Sequence, residues 1–361
     1  MDLGRVEVPV NPPYPVVIGA GLNLAEVVSG ELEPGIAAIL TDSDVGPLHT
    51  ERVARSLQYA GWRVVAVVEV PAGERSKDLT AYAKVAGRLA RAGVTRDGTL
   101  FALGGGVVGD LGGFVAATFM RGIDLVALPT SLLAMVDSSV GGKVGLDLLE
   151  GKNLVGSFLR PRLVVADLDW LETLPGRELS CGLAEVVKMG LLSGGRYFEN
   201  LDGIGAARAH DMEALRALIV GSVRFKARVV AEDEMERGPR AILNYGHTIG
   251  HGLEAAAEYA LPHGEAVALG MISASHLARE RLDNDLVALH EDLLVSAGLP
   301  IKAPPVEPDK ILAAMARDKK RRTSGDADEH RFVLLEDVGR PVWAVPVGEE
   351  EARRAIRAVV G

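Results

Sequence analysis

The chain has 361 residues, of which 48% are apolar, so two domains, each with its own core, are expected. Its net charge of −10 argues against a nucleic-acid binder working through a basic face, and no run of about eighteen apolar residues is present to span a bilayer. One cysteine, Cys181, excludes an internal disulfide and a multi-cysteine zinc site.

Met1 to Arg5 lead straight into strand-like Val6-Glu7-Val8 with no signal-peptide pattern, and a cytoplasmic enzyme is the expectation. Residues 5–18 read as short strands interrupted by the turn signal Asn11-Pro12-Pro13. From residue 36 strands and helices alternate: strand 36–40, helix 48–59, strand 64–70, helix 79–92, then strands 100–103, 125–128 and 163–166, the first two followed by helical sequence. That alternation predicts an α/β Rossmann-like domain over residues 1–171, with a parallel sheet and helices on both faces. Residues 172–361 read as a mostly α-helical domain, with helices 178–192, 211–231, 242–259, 265–281 and 286–297. A hairpin over 331–335 and 342–345 and a helix over 349–359 close the chain.

Gly104-Gly105-Gly106-Val107-Val108-Gly109 satisfies G-x-G-x-x-G after a buried strand and before helical sequence. That context suits a phosphate against helix amides, although tight strand–helix packing alone also selects glycine. Asp42 and Glu74 to Lys77 end earlier strands, at the edge where such sheets bind ligands, and each alone reads as a surface turn. Ser138 to Lys143 imitates a P-loop but fails as one. Asp137 stands where the first glycine belongs, and Val144 replaces the magnesium-binding hydroxyl. Lys143, on a glycine turn, suits a phosphate monoester and Lys152-Asn153 adds a second cation with an amide donor; with the glycine turn at 104 they suggest two phosphate-bearing ligands held side by side. In the basic run Lys319-Lys320-Arg321-Arg322, Arg321 and Arg322 read as a solvated loop.

The helical half carries a metal signal. In Asn244-Tyr245-Gly246-His247-Thr248-Ile249-Gly250-His251 two imidazoles stand four apart on one helix face, and Leu261-Pro262-His263-Gly264-Glu265 adds a third. With Glu185, a carboxylate in apolar helical sequence, they suit a divalent ion with open positions. Spacing alone selects His247 and His251. Lys188 also reads as a simple helix ion pair with Glu185, and Lys226, Glu236 and Arg240 as solvated charges.

Together GGGVVGD, ALPTSLLAMVDSSVGGK, GKNLVGSF, CGLAEVVKMG, NYGHTIGH and LPHGEAVALGM resemble the 3-dehydroquinate synthase family over nearly the whole chain. The resemblance implies a cytoplasmic, homodimeric lyase that requires NAD and Zn²⁺ or Co²⁺. It would convert 3-deoxy-D-arabino-heptulosonate 7-phosphate to 3-dehydroquinate and phosphate. It implies Glu185, His247 and His263 as metal ligands, and NAD contacts at Asp42, Glu74, Lys77, Gly105, Gly106, Val107, Val108, Asp110, Thr130, Ser131, Lys152 and Thr173. Around the substrate it implies Asp137, Lys143, Lys152, Asn153, Lys188, Lys226, Glu236, Arg240, Asn244, His251 and Lys320, with Arg121 reaching the neighbouring subunit. Ser131, and Val144 to Asp147, depart from the family pattern. Sugar-phosphate cyclases of inosose or valiolone type share this fold, and a metal-dependent polyol dehydrogenase and a non-catalytic ligand-binding protein are further alternatives. Asn244 and His251 favour the dehydroquinate reaction.

Overall fold

The computed structural model describes residues 4–258, 260–282, 284–322 and 329–360, with side chains left out at 318–322 and 329. The chain divides into two compact units: Met1–Leu174 with Lys226–Met235, and Pro175–Phe225 with Glu236–Gly361. A single cut at residue 171 would therefore assign residues 226–235 to the wrong side.

In the first unit the elements run β1 (Gly4–Val8), β2 (Tyr14–Gly19), α1 (Leu24–Glu31), β3 (Ile36–Asp42), α2 (Gly46–Tyr59), β4 (Arg63–Val70), α3 (Leu79–Arg91), β5 (Thr99–Gly104), α4 (Gly106–Thr118) and β6 (Asp124–Pro129). A hairpin, β7 (Lys143–Leu148) and β8 (Gly151–Phe158), precedes β9 (Leu163–Asp167). The sheet order is β1-β2-β9-β6-β5-β3-β4, parallel except for the β1–β2 pair. Parallel strands of this kind are buried on both faces. Ala38, Leu40, Leu100 and Ala102 share a core with Val85 and Leu89 of α3 and Val108, Leu111 and Val115 of α4. Their alternates Ala37, Ile39, Phe101 and Leu103 are buried on the opposite face.

No long helix follows β6: a short π-helical turn, Ala134–Ser138, leads into the β7–β8 hairpin. The glycines at 141, 142, 145, 151 and 156 hide that hairpin from a propensity reading. Helix α1 was absent from the sequence reading because it is short and its apolar residues Leu24, Ala25 and Val28 span one turn.

The second unit contains α5 (Gly176–Ser193), the short α6 (Gly195–Glu199) and α7 (Ile204–Arg208), and the first part of α8 (Met212–Glu232). Then follow α9 (His247–Ala256), α10 (His263–Leu282), α11 (Val287–Ser296), α12 (Pro308–Arg322), the hairpin β10 (Glu329–Asp337) and β11 (Arg340–Gly348), and α13 (Glu349–Val359). The helix expected over 242–259 is broken. A 3₁₀ segment, Pro239–Asn244, stops before Gly246, whose φ of +79° only glycine adopts readily. The basic run at 319–322 ends a helix rather than forming a loop, because α12 begins at Pro308, a favoured first helical residue. Among the described residues no helix is long and apolar enough to cross a membrane.

Close helix approach fixes this unit. A Cβ at Gly270 would lie 1.8 Å from the Gly246 carbonyl oxygen, and one at Gly264 would lie 2.4 Å from Cys181 backbone atoms. Gly270 thus sets the α10 contact with the turn before α9, and Gly264 its contact with α5. Replacing Gly270 by alanine is expected to lower unfolding stability by about 1–3 kcal/mol or more, as overpacking does. Urea denaturation measures this, and an unchanged midpoint would contradict the stated packing.

Candidate active site

In the first unit β5 ends at Gly104 and α4 starts at Gly106, so Gly105 makes the turn. No side chain caps α4. Its first intrahelical bond is donated by Gly109 N–H to the Gly105 carbonyl at 3.0 Å, which leaves the amides of Gly106, Val107 and Val108 ahead of it. Such amides, at the positive end of the helix dipole, attract an anion. A Cβ at Gly104 would lie 2.6 Å from Val108 Cγ2, so packing also demands this glycine. In the sheet β4 lies on one side of β3 and β5 on the other. The turn and Asp42 therefore stand at the carboxyl ends of adjacent strands, at a topological switch point.

Around it the polar residues are paired. Asp42 Oδ1 accepts the N–H groups of Asp44 and Val45 at 3.0 and 2.9 Å. The buried Lys77 donates to Asp110 Oδ2 at 2.8 Å, and its Nζ lies 3.6 Å from Glu74 and 3.8 Å from Asp147. Burial disfavours the Lys77 charge, but these carboxylates hold its pKa above the ordinary value. Burial pushes Asp110 and Asp147 up, whereas Lys77 and Lys152 draw Glu74 down against its own burial. Thr130 N–H donates to the Gly104 carbonyl at 3.0 Å, and Ser131 Oγ accepts from Ala134 N–H at 3.3 Å. Thr173 donates to the Trp170 carbonyl and accepts from His49 Nε2, at 3.0 and 2.9 Å. Asp147, which the sequence reading did not use, joins this cluster and also accepts from Asn153 N–H at 2.7 Å.

Lys143 and Lys152 lie at different ends of the β7–β8 hairpin. Lys143 begins β7 opposite Phe158, while Lys152 follows the β7–β8 turn. About four residues of strand, roughly 13 Å, separate them. Lys143, exposed, lines a cavity of ≈ 30 Å³ with Gly104, Gly105, Ser138 and Gly142. Lys152 Nζ instead lies 3.5 Å from Glu74. Lys226 Nζ donates to the Asp137 carbonyl at 2.7 Å and pairs with its carboxylate. Arg121 is exposed, and both it and Asn153 hold left-handed backbone, φ 65° and 55°, a strained conformation that clusters at functional sites.

The second unit holds the ligand cluster. Helix α5 is buried throughout 179–192, and Glu185 within it is fully buried. Among the described residues neither carboxylate oxygen has a hydrogen-bond partner of acceptable geometry, although the buried Lys188 ammonium is in ion-pair contact. His247 opens α9 and His263 opens α10. Each presents Nε2 at 3.7 Å from Glu185 Oε1, and the ligand atoms of all three lie within 4.8 Å of one another. The remaining ring nitrogens are tied. His247 Nδ1 lies 3.1 Å from the Tyr245 carbonyl, and His263 Nδ1 lies 3.3 Å from Glu254 Oε1. A carbonyl only accepts, so His247 Nδ1 carries the proton and Nε2 the lone pair. A buried, unsatisfied carboxylate facing two oriented imidazoles fits a divalent ion.

Glu254 escaped the sequence reading. It stands seven residues after His247 and three after His251, so helical periodicity puts it on their face, and that was the available signal. His251, which spacing alone pairs with His247, groups instead with Glu254 and His263. Its ring lies 5.2 Å from that of His247. Asn244 Nδ2 donates to Glu236 Oε1 at 2.8 Å, Glu236 holds φ 52°, and Arg240 is buried. The Lys320 side chain lies outside the described residues.

Burial opposes ionisation of Glu185, but Lys188, His263 and His247 hold its carboxyl well below the usual range. Burial, then Lys188, keeps His247 neutral. Burial also disfavours charge on His263, yet the nearby Glu185 and Glu254 carboxylates raise it to about 10. Without metal, therefore, His263 is the imidazolium of the group.

Residues 67–181 match the 3-dehydroquinate synthase N-terminal family and residues 182–321 the 3-dehydroquinate synthase C-terminal family. A 3-dehydroquinate synthase of Symbiobacterium thermophilum is 46% identical over 318 residues, 85% of this chain and 88% of that protein. One from Xylella fastidiosa is 44% identical over 99% of this chain and 98% of its own. Among solved structures, 2-deoxy-scyllo-inosose synthase complexed with carbaglucose-6-phosphate, NAD⁺ and Co²⁺ superposes with a TM-score of 0.89 at 30% identity, covering 98% of this chain and 99% of that one. A glycerol dehydrogenase of Schizosaccharomyces pombe, 17% identical over 95% of this chain and 88% of its own, shares the fold at a TM-score of 0.70.

With Glu185 ionised and His247 neutral, metal binding must displace one proton, from His263 Nε2. Affinity is therefore expected to rise with pH, by about tenfold per unit below the His263 value. Calorimetry of Zn²⁺ binding near pH 7, in buffers of different ionisation enthalpy, should count one released proton. A count of zero would mean that His263 is already neutral.

Proposed function

Because the chain belongs to the 3-dehydroquinate synthase family, we propose that it converts 3-deoxy-D-arabino-heptulosonate 7-phosphate to 3-dehydroquinate and phosphate. The observation that carries the metal half of this reading is the buried Glu185 carboxylate facing two imidazoles. The uncapped amides at the turn after β5 support the dinucleotide half. When bound, a divalent ion would supply Lewis acidity toward substrate hydroxyls, and NAD reversible hydride acceptance.

The chain's own residues do the rest. Glu185, His247 and His263 would hold Zn²⁺ or Co²⁺. The amides of Gly106, Val107 and Val108 would receive the dinucleotide pyrophosphate beside Gly105, with Thr130 and Ser131 fixing the turn. Asp42 would meet a ribose hydroxyl. Glu74, Lys77, Asp110 and Lys152 form a single charge cluster and would bind the same cofactor, with Thr173 a further contact. Lys143, beside the glycine turn, would take the substrate phosphate, with Asn153, His251, Arg240 and Lys320 as further donors. Lys226 holds Asp137 and Asn244 holds Glu236 by direct bonds, so both carboxylates are oriented to accept protons from hydroxyl groups. Lys188 balances the Glu185 charge. On this reading the enzyme is a cytoplasmic homodimer, and exposed Arg121 reaches the neighbouring subunit's substrate.

Incubation with the heptulosonate phosphate should release one phosphate per turnover without net NADH, and chelation should stop it until Zn²⁺ or Co²⁺ is returned. NADH accumulating on simple polyols would instead indicate the dehydrogenase reaction. His263→Ala is expected to stay folded while losing metal and activity, and near-normal zinc content would reject the ligand assignment. Lys143→Ala should lower kcat/KM roughly 10- to 100-fold, the loss of one charged hydrogen bond. Unchanged kinetics would remove Lys143 from the site.

A further inference from the structure

Tyr245 and His290 are fully buried in the second unit, and the chemistry above uses neither side chain. Tyr245 stands two residues before His247, on the turn between the 3₁₀ segment and α9. His290 lies on α11. Their rings meet edge-on, with centroids 5.9 Å apart, and the Tyr245 hydroxyl is 2.7 Å from His290 Nε2.

The direction of each bond can be worked out. His290 Nδ1 lies 2.7 Å from the Leu286 carbonyl, which only accepts, so Nδ1 carries the proton and Nε2 is bare. The Tyr245 hydroxyl must then donate. Burial lowers the His290 pKa to about 4, which keeps this acceptor neutral. At its other end Tyr245 offers its main-chain carbonyl to His247 Nδ1 at 3.1 Å. A continuous run of directional bonds thus links Leu286 to the imidazole that faces Glu185.

We propose that His290, acting through Tyr245, is a positioning residue for the metal-binding nitrogen of His247. The proposal rests on the metal reading given above. The Tyr245 carbonyl is what compels His247 to leave Nε2 unprotonated, so the place of that carbonyl decides both tautomer and aim. Around it the turn is already confined. Tyr245 N–H donates to Ile242 at 3.0 Å, and a Cβ at Gly246 would lie 2.8 Å from the Val267 carbonyl. The hydroxyl–imidazole bond anchors the side chain of the same residue, so the carbonyl cannot swing with it.

The test is Co²⁺ affinity, by competition with a chromophoric chelator, alongside the visible spectrum of the cobalt-loaded protein and its thermal unfolding. Tyr245→Phe keeps the ring and deletes the donor. It is expected to weaken Co²⁺ binding roughly tenfold and to change the spectrum. His290→Gln, which retains an acceptor, should bind nearly as the parent does, and His290→Leu should resemble Tyr245→Phe. Parental affinity and spectrum in Tyr245→Phe, even with reduced stability, would overturn the proposal by reducing the pair to packing. Should Tyr245→Phe not fold, equal affinities of the Gln and Leu variants at 290 would overturn it in the same way. His263→Ala separates the two levels. If it keeps parental Co²⁺ affinity, the metal reading fails together with the proposal, whereas loss there with no effect at Tyr245 removes the proposal alone.

Discussion

An ionised carboxylate sealed inside an apolar helix is the constraint that organises the second unit. Glu185 has no surface path to water and no hydrogen-bond partner among the described residues, a condition that is strongly destabilising unless cations compensate it. Lys188, one helical turn on, supplies part of that compensation. His247 and His263 arrive from two further helices to supply the rest. Because each opens its helix, its position is set by where α9 and α10 begin, and those starts are fixed by the contacts of Gly270 with the Gly246 carbonyl and of Gly264 with Cys181. Small residues beside the ligands and along α10 therefore hold the charge balance together.

The first unit obeys a different rule. Its sheet leaves backbone amides without a side-chain cap where β5 gives way to α4, and the charged residues near that point are already engaged with one another. Lys77 touches three carboxylates, and Lys152 joins them through Glu74. Because these side chains already hold one another, an anion received there would not have to order them, which is the usual cost of recognising an anion with lysine.

Legibility in the sequence followed the kind of interaction. Periodicity and punctuation exposed nearly all the strands of the sheet, because buried parallel strands are short apolar runs between turns. They failed at the β7–β8 hairpin, where glycine removes the side-chain pattern, so the sequence did not show that Lys143 and Lys152 lie at opposite ends of one ribbon. The imidazoles at 247, 251 and 263 were visible as residue types. Which of them faces Glu185 was not, since that depends on the helix break at Gly246 and on contacts distant in sequence. Glu254 and the Tyr245–His290 pair were missed for a related reason. A lone acid or histidine in a helical stretch looks like surface or core until its partner is known.

The placement of His263 has one more effect. Its Nε2 stands 3.7 Å from Glu185 and its Nδ1 3.3 Å from Glu254, and with its pKa raised to about 10 the ring supplies a positive charge between two buried acids that would otherwise face an apolar interior uncompensated.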